Sequence, residues 1–361
     1  MTNVKILGSG SYGCVIHPAI KTNVLDTDEQ LSDGSVSKIF KEASDRNKEI
    51  RNIRRITERV KNAEQYIVIP IGTSDIDTET LSKLPELEKV MNKMMYQIVF
   101  REKGITLYEY VRKHFIVDNT ITAQKILDLL KILINVAKGI KNLSKQNILH
   151  RDIKDSNVIV TEEGQGKLID FGTSVEYTSY FSDTLIDESY SLWPPENNLW
   201  FDVDVFIHFC NKGLTDPKEM AKISTEDMLK DCTKKERLIG SRLYLEVFHR
   251  LAPFRSLVLK KNKDKESTRQ LLTKILGSSM WDVLDKFDVY GFGIILLNIT
   301  EDFKYCKFDD NAIPQDFLPN FKNLGTQATR SNPLDRWCIE NIIRILEYYE
   351  LYLEYSLKRK I

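Results

Sequence analysis

The chain has 361 residues, 42% of them hydrophobic and 29% charged, a balance that suits a folded protein with a buried core and excludes a low-complexity or extensively disordered one. Lys and Arg number 52 and Asp and Glu number 52. The overall basic excess of a nucleic-acid binder or of a protein held on an anionic membrane is therefore missing, and neither partner is expected. Cys14, Cys210, Cys232, Cys306 and Cys338 stand too far apart for a metal knuckle or a disulfide framework. Met1 to Lys5 lacks a signal-like apolar region, Thr2 excludes N-myristoylation, and the apolar run around Ile294–Leu297 is too short to cross a bilayer. The expectation is a soluble protein working in the cytoplasm.

The predicted elements begin with a strand, a glycine turn and a second strand: Val4–Leu7, Gly8–Gly13, then Cys14–Ile16. Polar residues from Lys21 to Gly34 read as a hairpin excursion before a short strand, Ser35–Phe40. Apolar Ile50, Ile53, Ile56 and Val60 recur at helical steps and predict a helix over Glu42–Asn62. Tyr66–Ile71 and Tyr96–Phe100 read as strands around a polar, acidic insert, Thr73–Lys93. Beyond them the pattern turns helical. Ala123–Lys145 carries an apolar ladder of Ile126, Leu129, Leu130, Leu133, Val136, Ile140 and Leu143, with Thr122 placed to cap it. Two short strands follow, Asn157–Val160 and Lys167–Ile169. Ser224–Asp227 reads as a capping box, Val289–Ile299 as a buried central helix and Asp335–Leu357 as a terminal helix. A strand-rich first part and a larger helical remainder predict two lobes.

Four groups of residues carry chemistry. Gly8-x-Gly10-x-x-Gly13-x-Val15 is common to two kinds of phosphate-binding turn. A dinucleotide fold needs a helix after the turn, whereas Cys14-Val15-Ile16 is β-branched, so a lid of bare backbone amides over phosphates fits better. Lys38 shares a strand face with Val36, which lets Val36 pack on a base while Lys38 reaches phosphates. A buried ammonium needs a counter-ion, and Glu49 lies near the apolar stripe of the following helix, with Glu42 and Glu58 as competitors. The most specific group is His150-Arg151-Asp152-Ile153-Lys154-Asp155-Ser156-Asn157, followed by Asp170-Phe171-Gly172. Such a pair of loops supplies a carboxylate for a hydroxyl, an ammonium for a moving phosphoryl group, and amide and carboxylate oxygens for a hard cation.

These residues resemble the motifs of the eukaryotic-type serine/threonine protein kinase family. Pro194-Pro195-Glu196 is similar to its Ala-Pro-Glu motif, Asp288–Gly293 to the start of its central helix, and Arg336 to the arginine that pairs with the residue at Glu196. The resemblance implies an α+β, bilobal kinase fold over 1–361, with a strand-rich N-lobe over 1–102 and a helical C-lobe over 103–361. It implies ATP and Mg²⁺ and a protein substrate. Leu7, Gly8, Gly10, Gly13, Val15, Val36, Lys38, Glu102 and Ile159 would hold ATP, with the interlobe connector near Phe100–Gly104. Lys38 would pair with Glu49, Asp152 would accept the hydroxyl proton, Lys154 would neutralise the γ-phosphoryl group, and Asn157 and Asp170 would bind the metal. His150, Phe171 and Ile53 would stack in an internal column. Lys154 two residues after Asp152 is the pattern of Ser/Thr specificity.

Arg151 beside Asp152 implies phosphate control through Thr178, Ser179, Tyr180, Ser182 or Thr184, or a structural role; Asp183, Asp187 and Glu188 offer permanent negative charge instead. The chain departs from the family where Gly-Thr normally precedes Ala-Pro-Glu; Ser189 is the nearest replacement. A long insert of helical pattern occupies about 197–287, includes the basic run Lys260–Lys265, and is a candidate for partner docking. Such divergence is similar to that of kinases of large DNA viruses, for which the host cell or the virion would be the setting. Two other readings compete: a pseudokinase scaffold, against which stands a full set of catalytic positions, and a kinase-like small-molecule phosphotransferase.

Overall fold

The computed structural model describes residues 4–10, 13–22, 31, 34–77, 79–80, 95–101, 104–176, 285–308, 312–330 and 335–359. Glu102, the Thr178–Thr184 hydroxyls, Ser189, Pro194–Glu196, the Ser224 capping box and the run Lys260–Lys265 lie outside them. Two compact units divide the chain. One comprises Met1–Tyr110, Lys131–Gln146 and Asp155–Val175; the other comprises Val111–Leu130, Asn147–Lys154 and Glu176–Ile361. No helix among the described residues is long and apolar enough to cross a membrane.

In chain order the described elements are β1 (Lys5–Gly10), β2 (Gly13–His17), β3 (Val36–Phe40), α1 (Ala43–Arg59), β4 (Pro70–Ile76), β5 (Met95–Phe100), β6 (Gly104–Thr106) and α2 (Leu107–Val111), which runs on as a π-helical turn over Arg112–Val117. Then come β7 (Thr120–Ile121), α3 (Ala123–Lys145), β8 (Ile148–Leu149), β9 (Val158–Thr161), β10 (Gly166–Leu168), β11 (Val175–Glu176), α4 (Phe287–Phe303), β12 (Lys307–Phe308), α5 (Phe317–Ala328) and α6 (Ile339–Lys358). The α+β composition expected from the sequence is present.

The first unit is built on an antiparallel sheet ordered β1-β2-β3-β5-β4. Alternation puts Cys14, Ile16, Ile39, Ile76 and Met95 into one apolar cluster with Ile20. A buried polar network lies beside it. Ser37 Oγ donates to Gln97 Oε1 at 2.7 Å, Gln97 Nε2 donates to Ser74 Oγ at 2.7 Å and to Ile20 O at 3.1 Å, and Ile20 N donates to Ser37 Oγ at 3.0 Å. This network explains why β4 is Pro70–Ile76 and not the apolar Tyr66–Ile71 predicted. Ser74 is buried because its hydroxyl is bonded, and polar residues 72–75 pair with β5. Ile67 and Val68 are also buried, but Ile67 makes a lone parallel bridge to Leu168. A second antiparallel sheet, β10-β9-β6, completes this unit. Asn135 of α3 is tied to it, donating from Nδ2 to Gly166 O at 2.8 Å and to Gln65 O at 2.7 Å.

Helix α3 has the predicted bounds, and every rung of its ladder is buried. Thr122 caps it through Oγ1, which accepts from Lys125 N at 3.3 Å. In the second unit α4 is buried almost throughout, as the nearly all-apolar run Val289–Ile299 at its centre requires. It meets α5 closely because a Cβ at Gly293 would stand 2.6 Å from Ala328 Cβ, and one at Gly325 would stand 2.8 Å from Leu297 Cγ. Phe303, Phe321, Phe317 and Tyr349 then form a ring-to-ring chain joining α4, α5 and α6, with centroid steps of 6.4, 5.5 and 5.2 Å. Helix α6 starts at Ile339, later than predicted, after an extended Cys338.

Candidate active site

In the first unit β3 carries Lys38, α1 carries Glu49, and the turn after β10 carries Asp170. Lys38 Nζ donates to Glu49 Oε2 at 2.6 Å and to Asp170 Oδ1 at 2.9 Å. Glu49 is buried, whereas Glu42 and Glu58, the competing counter-ions, are exposed. The reason is register along α1: Glu49 shares the buried face with Asn52, Ile53 and Ile56, while Ile50, placed on that stripe by the sequence pattern, is only half-buried. Burial alone would push the Lys38 ammonium down, but the Glu49 and Asp170 carboxylates outweigh it and hold it above the usual lysine range. Burial pushes Glu49 up to about 7 against the opposing pull of Lys38. Asp170 stays 38% exposed at its side chain, so it keeps access to a ligand while bonded to Lys38.

Asp170 has φ 66° and ψ 71°, a left-handed conformation that is costly for most L residues and that Asp adopts more readily than most. The 3-10 turn that follows, Phe171–Thr173, buries the Phe171 ring, and Asn52 Nδ2 donates to Phe171 O at 2.8 Å and Ser174 O at 2.9 Å. Asn157 ends another 3-10 turn, Asp155–Asn157, and its carbonyl accepts from Ile169 N at 3.0 Å, which sets it across the hairpin from the start of the Asp170 turn. An amide oxygen and a carboxylate are hard donors. With phosphate oxygens completing the sphere, the set fits Mg²⁺.

The glycine loop separates two functions of glycine. A Cβ added at Gly8 would meet nothing within 4 Å, so the backbone there is open for a ligand to approach. At Gly13 a Cβ would stand 1.7 Å from Ile39 O. That glycine is demanded by the neighbouring strand β3. Leu7 sits at an irregularity between Ile6 and Gly8 and is largely exposed; Val15 is half-buried, while Val36 on β3 and Ile159 on β9 are buried. Gly10 ends β1 and pairs with Gly13.

The second unit holds Asp152 and Lys154. Lys154 Nζ donates to Asp152 Oδ2 at 2.8 Å, and Asp152 N donates to His150 Nδ1 at 3.3 Å. This loop rests on α4. Asp288 accepts from His150 N through Oδ2 at 2.7 Å and from Arg151 N through Oδ1 at 2.9 Å. Gly291 lies so near that a Cβ would stand 2.6 Å from Ile153 O. Arg151 has φ 66°, a strained conformation held in place by these bonds. Burial pushes the Asp288 carboxyl up, while His150 and the two amides pull it down.

A protein kinase domain family model matches residues 1–196, more than half of the chain. The chain belongs to the protein kinase family. Its fold is accordingly the α+β kinase fold. Among curated relatives, the MAP kinase kinase skh1/pek1 of Schizosaccharomyces pombe is 42% identical over 64 residues, covering 18% of this chain and 18% of the relative. The mitogen-activated protein kinase kinase mkk2 of Aspergillus fumigatus is 42% identical over 74 residues, 20% of this chain and 14% of the relative. A probable serine/threonine-protein kinase, mkcD, of Dictyostelium discoideum is 46% identical over 43 residues, 12% and 7%. The chain spans less than a fifth of the length of each of these relatives.

Of the sequence-derived site residues, the chain brings Lys38, Glu49 and Asp170 into direct bonds within one unit, and Asp152 and Lys154 into a bond within the other. Glu102 and the Glu196 partner of Arg336 lie outside the described residues; Arg336 Nε donates to Arg330 O at 2.7 Å, and its guanidinium stands 4.9 Å from the Tyr290 ring centre. Ile53 and Phe171 are buried in one unit and His150 in the other. Sequence reasoning missed the bonds of Asn52 and Asp288. Each left a signal: an amide on an apolar helix stripe, and a carboxylate opening an apolar run.

Proposed function

We propose that this kinase-family chain is an active serine/threonine protein kinase, one domain over 1–361 with an N-lobe over 1–102 and a C-lobe over 103–361. It transfers the γ-phosphoryl group of Mg-ATP to protein Ser and Thr hydroxyls. The observation that carries the reading is the Lys38–Glu49–Asp170 cluster: a fixed ammonium held charged by two carboxylates from separate elements. Lys38 orients the α and β phosphates through charge and hydrogen bonding. The glycine loop offers backbone amides from above, with Leu7, Val15, Val36 and Ile159 against the adenine and Glu102 at its edge. Asn157 and Asp170 hold the Mg²⁺, which when bound neutralises phosphate charge. Asp152 positions the substrate hydroxyl and takes its proton as oxygen bonds to the γ phosphorus and the bond to ADP breaks. Lys154 offsets the charge that builds on the transferred group. Ser/Thr choice is supported by Lys154 and by the name that the Dictyostelium relative carries. Such an enzyme works where ATP is supplied, in the cytoplasm, with 197–287 available to dock a partner.

Incubating the full chain with Mg-ATP and a peptide library, then mapping phosphosites, tests this. Phosphoserine and phosphothreonine are expected, lost in Asp152→Asn although that variant still binds Mg-ATP. Nucleotide binding without transfer would point to a scaffold, and transfer to tyrosine alone would refute the specificity.

A further inference from the structure

Asn52 is an expensive choice for its position. Asparagine is a poor helix former, and a buried amide must find partners for both of its N–H groups. It sits three residues after Glu49, on the same face of α1, and is buried. Both partners are backbone carbonyls of the turn that follows Asp170: Phe171 O at 2.8 Å and Ser174 O at 2.9 Å. Phe171 O also accepts from Ser174 N at 3.1 Å, so the side chain braces a closed turn and not a loose strand. Glu49, one helical turn away, spends a single carboxylate oxygen on Lys38, and its Oε1 is buried without a hydrogen-bond partner. A second tie is therefore needed to hold the helix against the turn, and Asn52 supplies one from the same face.

We propose that Asn52 is a positioning residue that latches the helix bearing Glu49 to the turn bearing Asp170, so that both carboxylates meet Lys38 in one geometry. The latch fixes distances through two donated bonds. It also restrains the left-handed Asp170 backbone from the residues just beyond it. Its consequence for phosphoryl transfer rests on the function proposed above; its mechanical action on the turn does not.

Two measurements on the full chain test it. Hydrogen exchange of nucleotide-free Asn52→Leu, with Asn52→Ala as the variant that a helix accommodates most readily, should rise about tenfold in peptides covering 43–59 and 170–175 and stay unchanged in β2 and β3. In a double-mutant cycle on transfer rate, Asn52→Leu should lose about tenfold alone and add nothing to the loss in Glu49→Gln, because both act on one alignment. Unchanged exchange, or a rise spread over the whole sheet with additive losses, would overturn the latch and leave Asn52 a structural residue. If the parent chain transfers no phosphoryl group, the proposed function fails, while the exchange arm, which needs no turnover, still decides the latch.

Discussion

Glu49 commits one oxygen to Lys38 and buries the other without a donor, and burial raises its pKa from 4.5 to about 7. Between those values the folded chain binds a proton that the unfolded chain releases. The stability contributed by this group is therefore full at acid pH and is lost as pH rises through about 7. Lys38 adds nothing in that window, since its raised pKa affects stability only above the ordinary lysine range. Two opposite trends follow. The melting temperature of the parent should fall relative to Glu49→Gln as pH rises through about 7, while phosphoryl transfer by the parent should rise over the same span as Glu49 ionises to hold Lys38. Melting scans and rate profiles of the two proteins check both; parallel curves would remove Glu49 from the titration.

Among the elements, α4 bears most directly on the Asp152 loop. Asp288→Ala leaves two buried amides, those of His150 and Arg151, without their acceptors, at about 1–3 kcal/mol each. Gly291→Ala drives a methyl into Ile153 O, at about 1–3 kcal/mol. Urea unfolding of both variants should show these losses, and transfer should drop further than stability accounts for, because Ile153 lies between Asp152 and Lys154. The ladder of α3 was legible because an apolar rung recurs at every turn from Ile126 to Leu143, and nothing but a helix buries that spacing. Lys38, Asp152 and Asp170 were legible because each sits in a short motif. Strand β4 was not: its buried Ser74 is bonded to Gln97 of β5, a partner distant in sequence that hydropathy does not register. The bonds of Asn52 and Asp288 were hidden for the same reason, their partners lying on other segments.

At the scale of the molecule, ligand binding should couple to global stability. Saturating Mg-ATP at about 100 times its dissociation constant stabilises a folded chain by ~2.7 kcal/mol, so a clear rise in melting temperature is expected. EDTA or Asp170→Ala should abolish most of it; an unaffected shift would remove the metal from binding. The family match ends at 196, yet the carboxylate that anchors His150 and Arg151 comes from Asp288. A fragment cut at 196 should therefore show no cooperative melt for the segment around Asp152, whereas the full chain does. Gly13 carries a related lesson for anyone mutating the glycine loop. Since Ile39 O occupies the place of its missing methyl, Gly13→Ala should pry β2 from β3 and weaken the whole sheet, moving Lys38 with it. Gly8→Ala should leave melting untouched and reveal itself only in nucleotide affinity, so equal losses of activity at the two glycines would have unrelated origins: a displaced scaffold in one, a crowded doorway in the other.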